Sequence, residues 1–230
     1  MQSPIEIETL GIIGAGRLGT VVARLAVAAG FRVLISGSGD PAPIAQRMAA
    51  IGAVAEATDT VISESDAVIL ALPLGRLRML PAEALRGALV IDAINYWWAS
   101  DGIRDDLNDP RTSTSELVQA HLDGARIVKA LSHMGYQDLE DEPRPSRDAG
   151  RKAIAIAGDG AADLAAVSAL VDRLGFDPVL AGPLSAGIML EPGAEAFGAD
   201  VDADQLREML DGFWQSQRGI IVARARRGDS

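Results

Sequence analysis

There is no cysteine in the 230 residues of this chain. Disulfides, thiolate metal sites and cysteine nucleophiles are therefore excluded. Histidine occurs only as His121 and His133, too few for a multi-histidine metal centre, so no metal is expected. Lysine is nearly as scarce, with Lys129 and Lys152 alone, and acids outnumber bases to give a formal net charge of −11. A nucleic-acid partner needs a basic face to collect phosphates, and this balance argues against one. No apolar run approaches the roughly 18 to 20 residues of a membrane span, and the start of the chain lacks a basic region followed by an apolar stretch. The expectation is a cytoplasmic protein whose partners are small molecules. The length suits one large domain or two modest ones.

What is present is a glycine fingerprint in a telling context. Gly14-Ala15-Gly16-Arg17-Leu18-Gly19 follows the apolar run Leu10-Gly11-Ile12-Ile13 and precedes Thr20-Val21-Val22-Ala23-Arg24-Leu25-Ala26. A strand enters, a helix leaves, and a second apolar strand, Phe31 to Ile35, follows at the usual spacing. In such a unit the first glycine allows the tight turn, the second lets backbone approach a pyrophosphate, and the third lets helix pack on strand. The helix amino end offers unpaired N–H groups and a positive dipole end to the phosphates.

Apolar runs of strand length alternate with segments of helical length, the pattern of a parallel sheet covered on both faces. Strands are predicted at about 9–13, 32–36, 52–56, 67–72, 88–93, 126–131, 152–157 and 178–181. Helices are predicted at 17–29, 41–50, 59–64, 114–121, 161–174 and 203–214. Ser113 or Thr114 caps the 114–121 helix, Asp163 opens the next long one, and Gly175 ends it. The fold class is α/β: a Rossmann-type, doubly wound, mostly parallel sheet with a smaller C-terminal α/β lobe. The charged, proline-rich stretch 138–150 reads as a loop or linker. It separates a dinucleotide-binding domain, 1–137, from a C-terminal domain, 150–230. The stretch 223–230 has little to bury and is expected to fray.

Strand ends supply the candidate site. NAD enzymes place an acid after the second strand to hold the ribose hydroxyls. Here the stretch is Ile35-Ser36-Gly37-Ser38-Gly39, without an acid, which favours NADP, with Ser36 and Ser38 as phosphate donors. The alternative is an ordinary turn, and Asp40 lies close. Arg17 can reach the pyrophosphate or the 2′-phosphate with its planar fork of donors, or lie on the surface. Leu72, Pro73 and Leu74 follow the fourth strand, and Asn95 follows the fifth, where its amide can meet a nicotinamide carboxamide. Tyr96, Trp97 and Trp98 form a stacking wall, an oligomer interface or a packing patch. Ser132, His133 and Met134 follow the sixth strand, and His133 is the candidate to move a proton alongside a hydride. With Gly14, Ala15, Gly16, Leu18 and Gly19 this completes the expected cofactor-binding set.

Several of these stretches resemble the NADPH-dependent reductases of the deazaflavin coenzyme F420. The specific matches are Gly37-Ser38, Val128-Lys129-Ala130-Leu131 with its continuation Ser132-His133-Met134-Gly135, Ile156-Ala157-Gly158-Asp159, and the run from Gly175 to Leu184. The resemblance implies hydride transfer between NADP(H) and coenzyme F420, stacked against each other. It implies that Ser38 contacts the 2′-phosphate and that Leu72-Pro73-Leu74 and Ser132-His133-Met134 flank the nicotinamide. A homo-oligomer, expected as a dimer, completes the reading of its partners. The chain departs from the family pattern at Gly39, where an arginine is usual, and near Pro43, where a lysine is. Two other classes stand beside this reading: an NAD(P)H-dependent reductase of a flavin, ferric ion, carbonyl or imine, and a non-catalytic NADP(H)-binding sensor.

Overall fold

A computed structural model describes residues 5–107 and 109–228. Eight strands form one sheet: β1 Thr9–Ile13, β2 Arg32–Ser36, β3 Val54–Ala55, β4 Ala67–Leu70, β5 Leu89–Asp92, β6 Arg126–Lys129, β7 Ala153–Gly158 and β8 Asp177–Gly182. Their spatial order is β3-β2-β1-β4-β5-β6-β7-β8. Pairing is parallel from β3 through β6, antiparallel between β6 and β7, and parallel again between β7 and β8. The order reverses beside β1, the switch point at which a doubly wound sheet opens its crevice. Nine helices accompany the strands among the described residues: α1 Arg17–Ala28, α2 Ala42–Ala49, α3 Thr58–Ser63, α4 Trp98–Asp101, α5 Thr114–His121, α6 Tyr136–Asp141, α7 Ala161–Arg173, α8 Ala203–Gly212 and α9 Gln217–Arg227. The Rossmann-type fold class holds.

Alternation along the strands decides what covers each face. In β4, Ile69 joins Leu10, Ile12 and Ile91 against Val21, Val22 and Ala26 of α1 and Val167 and Leu170 of α7. Its neighbours Val68 and Leu70 face the other way, against Val61 and Ile62 of α3, Val118 of α5 and Leu122 just after it. In β7, Ile154 and Ile156 complete the first cluster, while Ala153, Ala155 and Ala157 pack under Leu206, Leu210, Phe213 and Val222. Small residues on that face let α8 approach closely. Residues beyond 150 thus continue the sheet, joined to β6 by Val128↔Gly158 and Lys129↔Ala157.

The structure corrects two local expectations. The segment 138–150 begins inside α6, because Leu139 is fully buried and anchors a helical turn; loop follows only after it. The stretch expected to fray is helical through Arg227. Its Arg226 donates to the carbonyls of Arg111 (3.0 Å) and Ser185 (3.2 Å), and Gly228 closes the helix at φ 78°. Asp229 and Ser230 lie outside the described residues. At α5, Ser113 is the cap, in a reciprocal box with Glu116. Asp163 sits in the first turn of α7 and pairs with Arg126, while Gly160 is the cap residue.

Candidate active site

Three glycines shape the turn between β1 and α1, each differently. Gly14 has φ +120°, and a Cβ there would collide with the Ala71 carbonyl oxygen; its N–H donates to Ser36 O at 2.9 Å. A Cβ on Gly19 would collide with the Gly14 carbonyl oxygen, so this glycine lets α1 lie on the turn. Gly16 is the opposite case: a Cβ there would meet nothing within 4 Å. It opens onto a crevice, and no side chain caps α1, so the first N–H groups of the helix remain for a ligand.

The crevice has two adjoining chambers. The first, about 570 Å³, is lined by Gly14, Ala15 and Gly16, by Gly37, Ser38 and Gly39 after β2, by Thr58 and Asp59 of α3, and by Arg76 beyond β4. The second, about 720 Å³, is lined by Gly16, Arg17 and Leu18, by Asn95 and Trp97 after β5, and by the Leu131–Tyr136 stretch with Phe197. Gly16, Ala71, Leu72 and Pro73 line both chambers and so lie where the two adjoin. An extended molecule with two ring ends fits such a crevice, its middle at Gly16.

Most of the expected site residues meet here. Gly14, Ala15, Gly16, Arg17, Leu18, Ser38, Leu72, Pro73, Asn95, Ser132, His133 and Met134 all line one chamber or both. Three do not. Gly19 lies behind the turn as a packing residue. Ser36 is fully buried, and its carbonyl holds the Gly14 N–H. Leu74 is buried with Ile13, Leu70 and Leu77, because the chain turns inward at a short 3-10 segment, Leu74–Met79. Arg17 donates to Tyr136 OH at 3.0 Å, which brings α6 to the rim. Arg47 reaches the Ala15 carbonyl at 2.8 Å and so braces the glycine turn from α2.

The three aromatics after β5 have separate places. Tyr96 OH donates to Gly102 O (2.8 Å) and accepts from Arg104 N (3.0 Å), tying its loop together. Trp97 lines the second chamber edge-to-face with Phe197, centroids 5.6 Å apart. Trp98 is exposed. Phe197 and Gly198 were not expected at the site. They come from the connection before α8, and no local motif marks them. Arg76, the one basic side chain lining the first chamber among the described residues, was also missed. It follows a strand carboxyl end, which was the available signal.

His133 is buried, with both ring nitrogens engaged. Ala155 N–H donates to Nε2 at 2.9 Å, so the ring proton sits on Nδ1 and faces Ala196 O at 3.2 Å. Burial lowers its pKa to about 4, with the nearby Lys129 charge acting the same way against the Ala196 carbonyl. A proton-moving role, the expectation above, finds no free nitrogen. The ring instead ties the chamber wall to β7 and to the 196–198 segment, and Gly198 N donates to His133 O at 2.7 Å. Two polar atoms in the second chamber are buried without a partner, Asn95 Oδ1 and Ser132 Oγ. Buried polar atoms are rarely left unpaired, so these two, on residues lining the chamber, are candidates to meet a ligand's hydrogen-bonding group.

The fold is a Rossmann-type doubly wound sheet, and its glycine turn at the switch point has the shape that suits a dinucleotide pyrophosphate. Residues 9–96 match the family described as NADP oxidoreductase, coenzyme F420-dependent, and the resemblance read from the sequence holds there. Among solved structures the chain is similar to a hypothetical protein of Sinorhizobium meliloti: 26% identity, TM-score 0.72, covering 84% of this chain and 94% of that one. It is also similar to a candidate F420-dependent NADP-reductase of Arthrobacter sp. FB24: 21% identity, TM-score 0.67, covering 91% and 94%. An imine reductase of Myxococcus stipitatus, solved with NAD+, shares the fold at 16% identity and TM-score 0.55, covering 100% of this chain and 68% of that one. No curated protein matches. No helix among the described residues is long and apolar enough to cross a membrane.

Proposed function

We propose that this chain transfers hydride between NADP(H) and the deazaflavin coenzyme F420. The observation that carries the reading is the two-chamber crevice with Gly16 at its waist. The adenosine end lies in the first chamber, the pyrophosphate at Gly16 under the α1 amino end, and the nicotinamide in the second. Preference for NADP rests on the missing acid after β2 and on Ser38 and Arg76 in the first chamber. The family pattern supports it, although Gly39 departs from that pattern. Gly39 adopts φ +97°, so the missing arginine has no comfortable backbone there, and Arg76 is placed to supply the cation instead.

When bound, the two cofactors exchange hydride between nicotinamide C4 and deazaflavin C5, and the accompanying proton exchanges with solvent. The residues of this chain do the rest. Asn95 Oδ1 and Ser132 Oγ hold a carboxamide. Leu72, Pro73 and Met134 frame a flat ring. Trp97 and Phe197 form a wall against which a second ring stacks, at the edge of a mostly apolar chamber. Such chemistry asks for positioning more than acid–base help, which agrees with the engaged ring of His133. We place the protein in the cytoplasm as a homodimer; Leu180 and Trp214, exposed in one shared groove, support an association surface.

Anaerobic mixing of NADPH with oxidised coenzyme F420 tests the function. Loss of the oxidised deazaflavin absorbance, catalytic in protein and faster with NADPH than with NADH, is expected. No loss with either nucleotide overturns the acceptor; a preference for NADH overturns the cofactor.

A further inference from the structure

Beneath the second chamber the carboxyl ends of β5 and β6 carry a charge pair with no solvent exposure. Asp92 and Lys129 are register partners on adjacent strands, and both side chains are fully buried. Lys129 Nζ lies 3.4 Å from Asp92 Oδ2 and donates to Ile94 O at 2.9 Å and to Thr114 Oγ1 at 3.2 Å. Asp92 Oδ1 accepts from Ile94 N at 2.9 Å, and Oδ2 accepts from Ser115 Oγ at 2.6 Å. Both backbone polar groups of Ile94 are therefore held by this one pair. The next residue is Asn95, whose Nδ2 donates to Ser132 O at 2.6 Å, three positions beyond Lys129.

Stability alone does not account for such a pair. Replacing a buried ion pair by apolar residues of similar volume is often neutral or stabilising. Its location is informative instead. The two loops that present the unpartnered atoms Asn95 Oδ1 and Ser132 Oγ spring from Asp92 and Lys129 respectively. Between Lys129 and Ser132, Leu131 takes φ 62°, a conformation that few non-glycine residues adopt and that surrounding contacts must hold.

We propose that Asp92 and Lys129 are positioning residues, clamping the Ile94 peptide groups so that Asn95 Oδ1 and Ser132 Oγ meet a carboxamide-bearing ring in the second chamber. The proposal rests on the reading that nicotinamide occupies that chamber. The clamp reaches the C-terminal lobe as well. Thr114 Oγ1 donates to Glu191 Oε1 at 3.0 Å, and Glu191 accepts from Arg218 at 3.3 Å. Gly187 of the short 3-10 segment Leu184–Leu190 lies against the lysine stem, where a Cβ would stand 2.9 Å from Lys129 Cδ.

Two variants test it from different sides. The double variant Asp92→Asn/Lys129→Met removes both charges together and leaves no buried ion unpaired. Gly187→Ala keeps both charges and displaces the lysine stem. Affinities for NADPH and for 2′,5′-ADP, which lacks the nicotinamide half, are measured by calorimetry on folded protein. The clamp predicts that NADPH binding weakens about tenfold in each variant, the loss of roughly one well-made hydrogen bond, while 2′,5′-ADP stays within about twofold. Equal weakening of both ligands shows a merely structural pair and overturns the proposal, as does unchanged NADPH affinity in both variants. If the wild-type protein binds neither ligand, the placement of the dinucleotide itself is wrong, a failure distinct from that of the clamp. If the double variant does not fold, Gly187→Ala decides alone.

Discussion

The two chambers of the crevice are built in opposite ways. The first is written in one short stretch of chain: Gly14, Gly16 and Gly19 act within a single turn, two by giving way to backbone and one by leaving space. The second is assembled from afar. Asn95 meets Ser132 across 37 positions, Trp97 meets Phe197 across a hundred, and His133 is held by Ala155 and Ala196. A local site constrains sequence at fixed spacing and can be read as a motif. A distributed site leaves no spacing to read, and its chemistry appears only once the sheet brings strand ends together.

Glycine variants sharpen that comparison most. Gly19→Ala drives a methyl group into the Gly14 carbonyl and is expected to destabilise the fold by about 3 kcal/mol or more, read by urea unfolding. Gly16→Val, in the same turn, has open space and should melt like the wild type while losing about 100-fold or more in NADPH affinity. Equal stability losses in the two variants would remove the distinction between a packing glycine and a cradle glycine.

His133 tests whether the second chamber is held or catalysed by its histidine. An unfolded imidazole takes up a proton near pH 6.5, whereas the folded one stays neutral down to about 4. Its contribution is therefore complete above about pH 6.5 and lost as pH falls from there toward 4. Over that window the wild type should lose up to about 3 kcal/mol of stability that His133→Gln does not lose. Denaturant titrations of both proteins at pH 7 and pH 4.5 measure it. Between pH 6 and 8 the hydride-transfer rate of the wild type should show no titration of this residue; a kinetic pKa near 6.5 abolished by His133→Gln would restore the proton-moving role.

Smaller effects follow at the rims. Removing either ring of the Trp97–Phe197 pair should slow single-turnover hydride transfer by about tenfold, the scale of an edge-to-face contact with its packing. The double variant should cost little more than either single one. Additive losses would mean that the two rings touch the acceptor independently. Arg76→Ala should narrow the ratio of NADPH to NADH affinity by about five- to tenfold, one exposed charge-assisted bond to phosphate. An unchanged ratio would return 2′-phosphate recognition to the Ser38 turn alone.

The order of strands and helices was legible because apolar alternation and glycine spacing act locally. All eight expected strands occur, with β3 shortened to Val54–Ala55 at the sheet edge. Elements anchored by remote contacts were not legible. The α6 turn depends on burial of Leu139, and the end of α9 on the reach of Arg226 to two distant carbonyls. At the site, strand-end logic found Asn95 and Ser132 but misjudged Leu74, since a chain leaving a strand can turn inward as readily as outward. It also found His133 without its partners, and those partners change what the ring can do.

The reversal between β6 and β7 has a consequence for how the two chambers can be altered. Because β7 runs against its neighbour, the C-terminal lobe turns strand beginnings, not endings, toward the crevice. It reaches the second chamber at Phe197 and Gly198, and its strands join β6 by two ladder pairs. The first chamber is lined entirely by residues 13–81, whereas Phe197 and Gly198 in the wall of the second come from beyond residue 150. A substitution in that connection alters the wall of the second chamber and leaves the glycine cradle untouched.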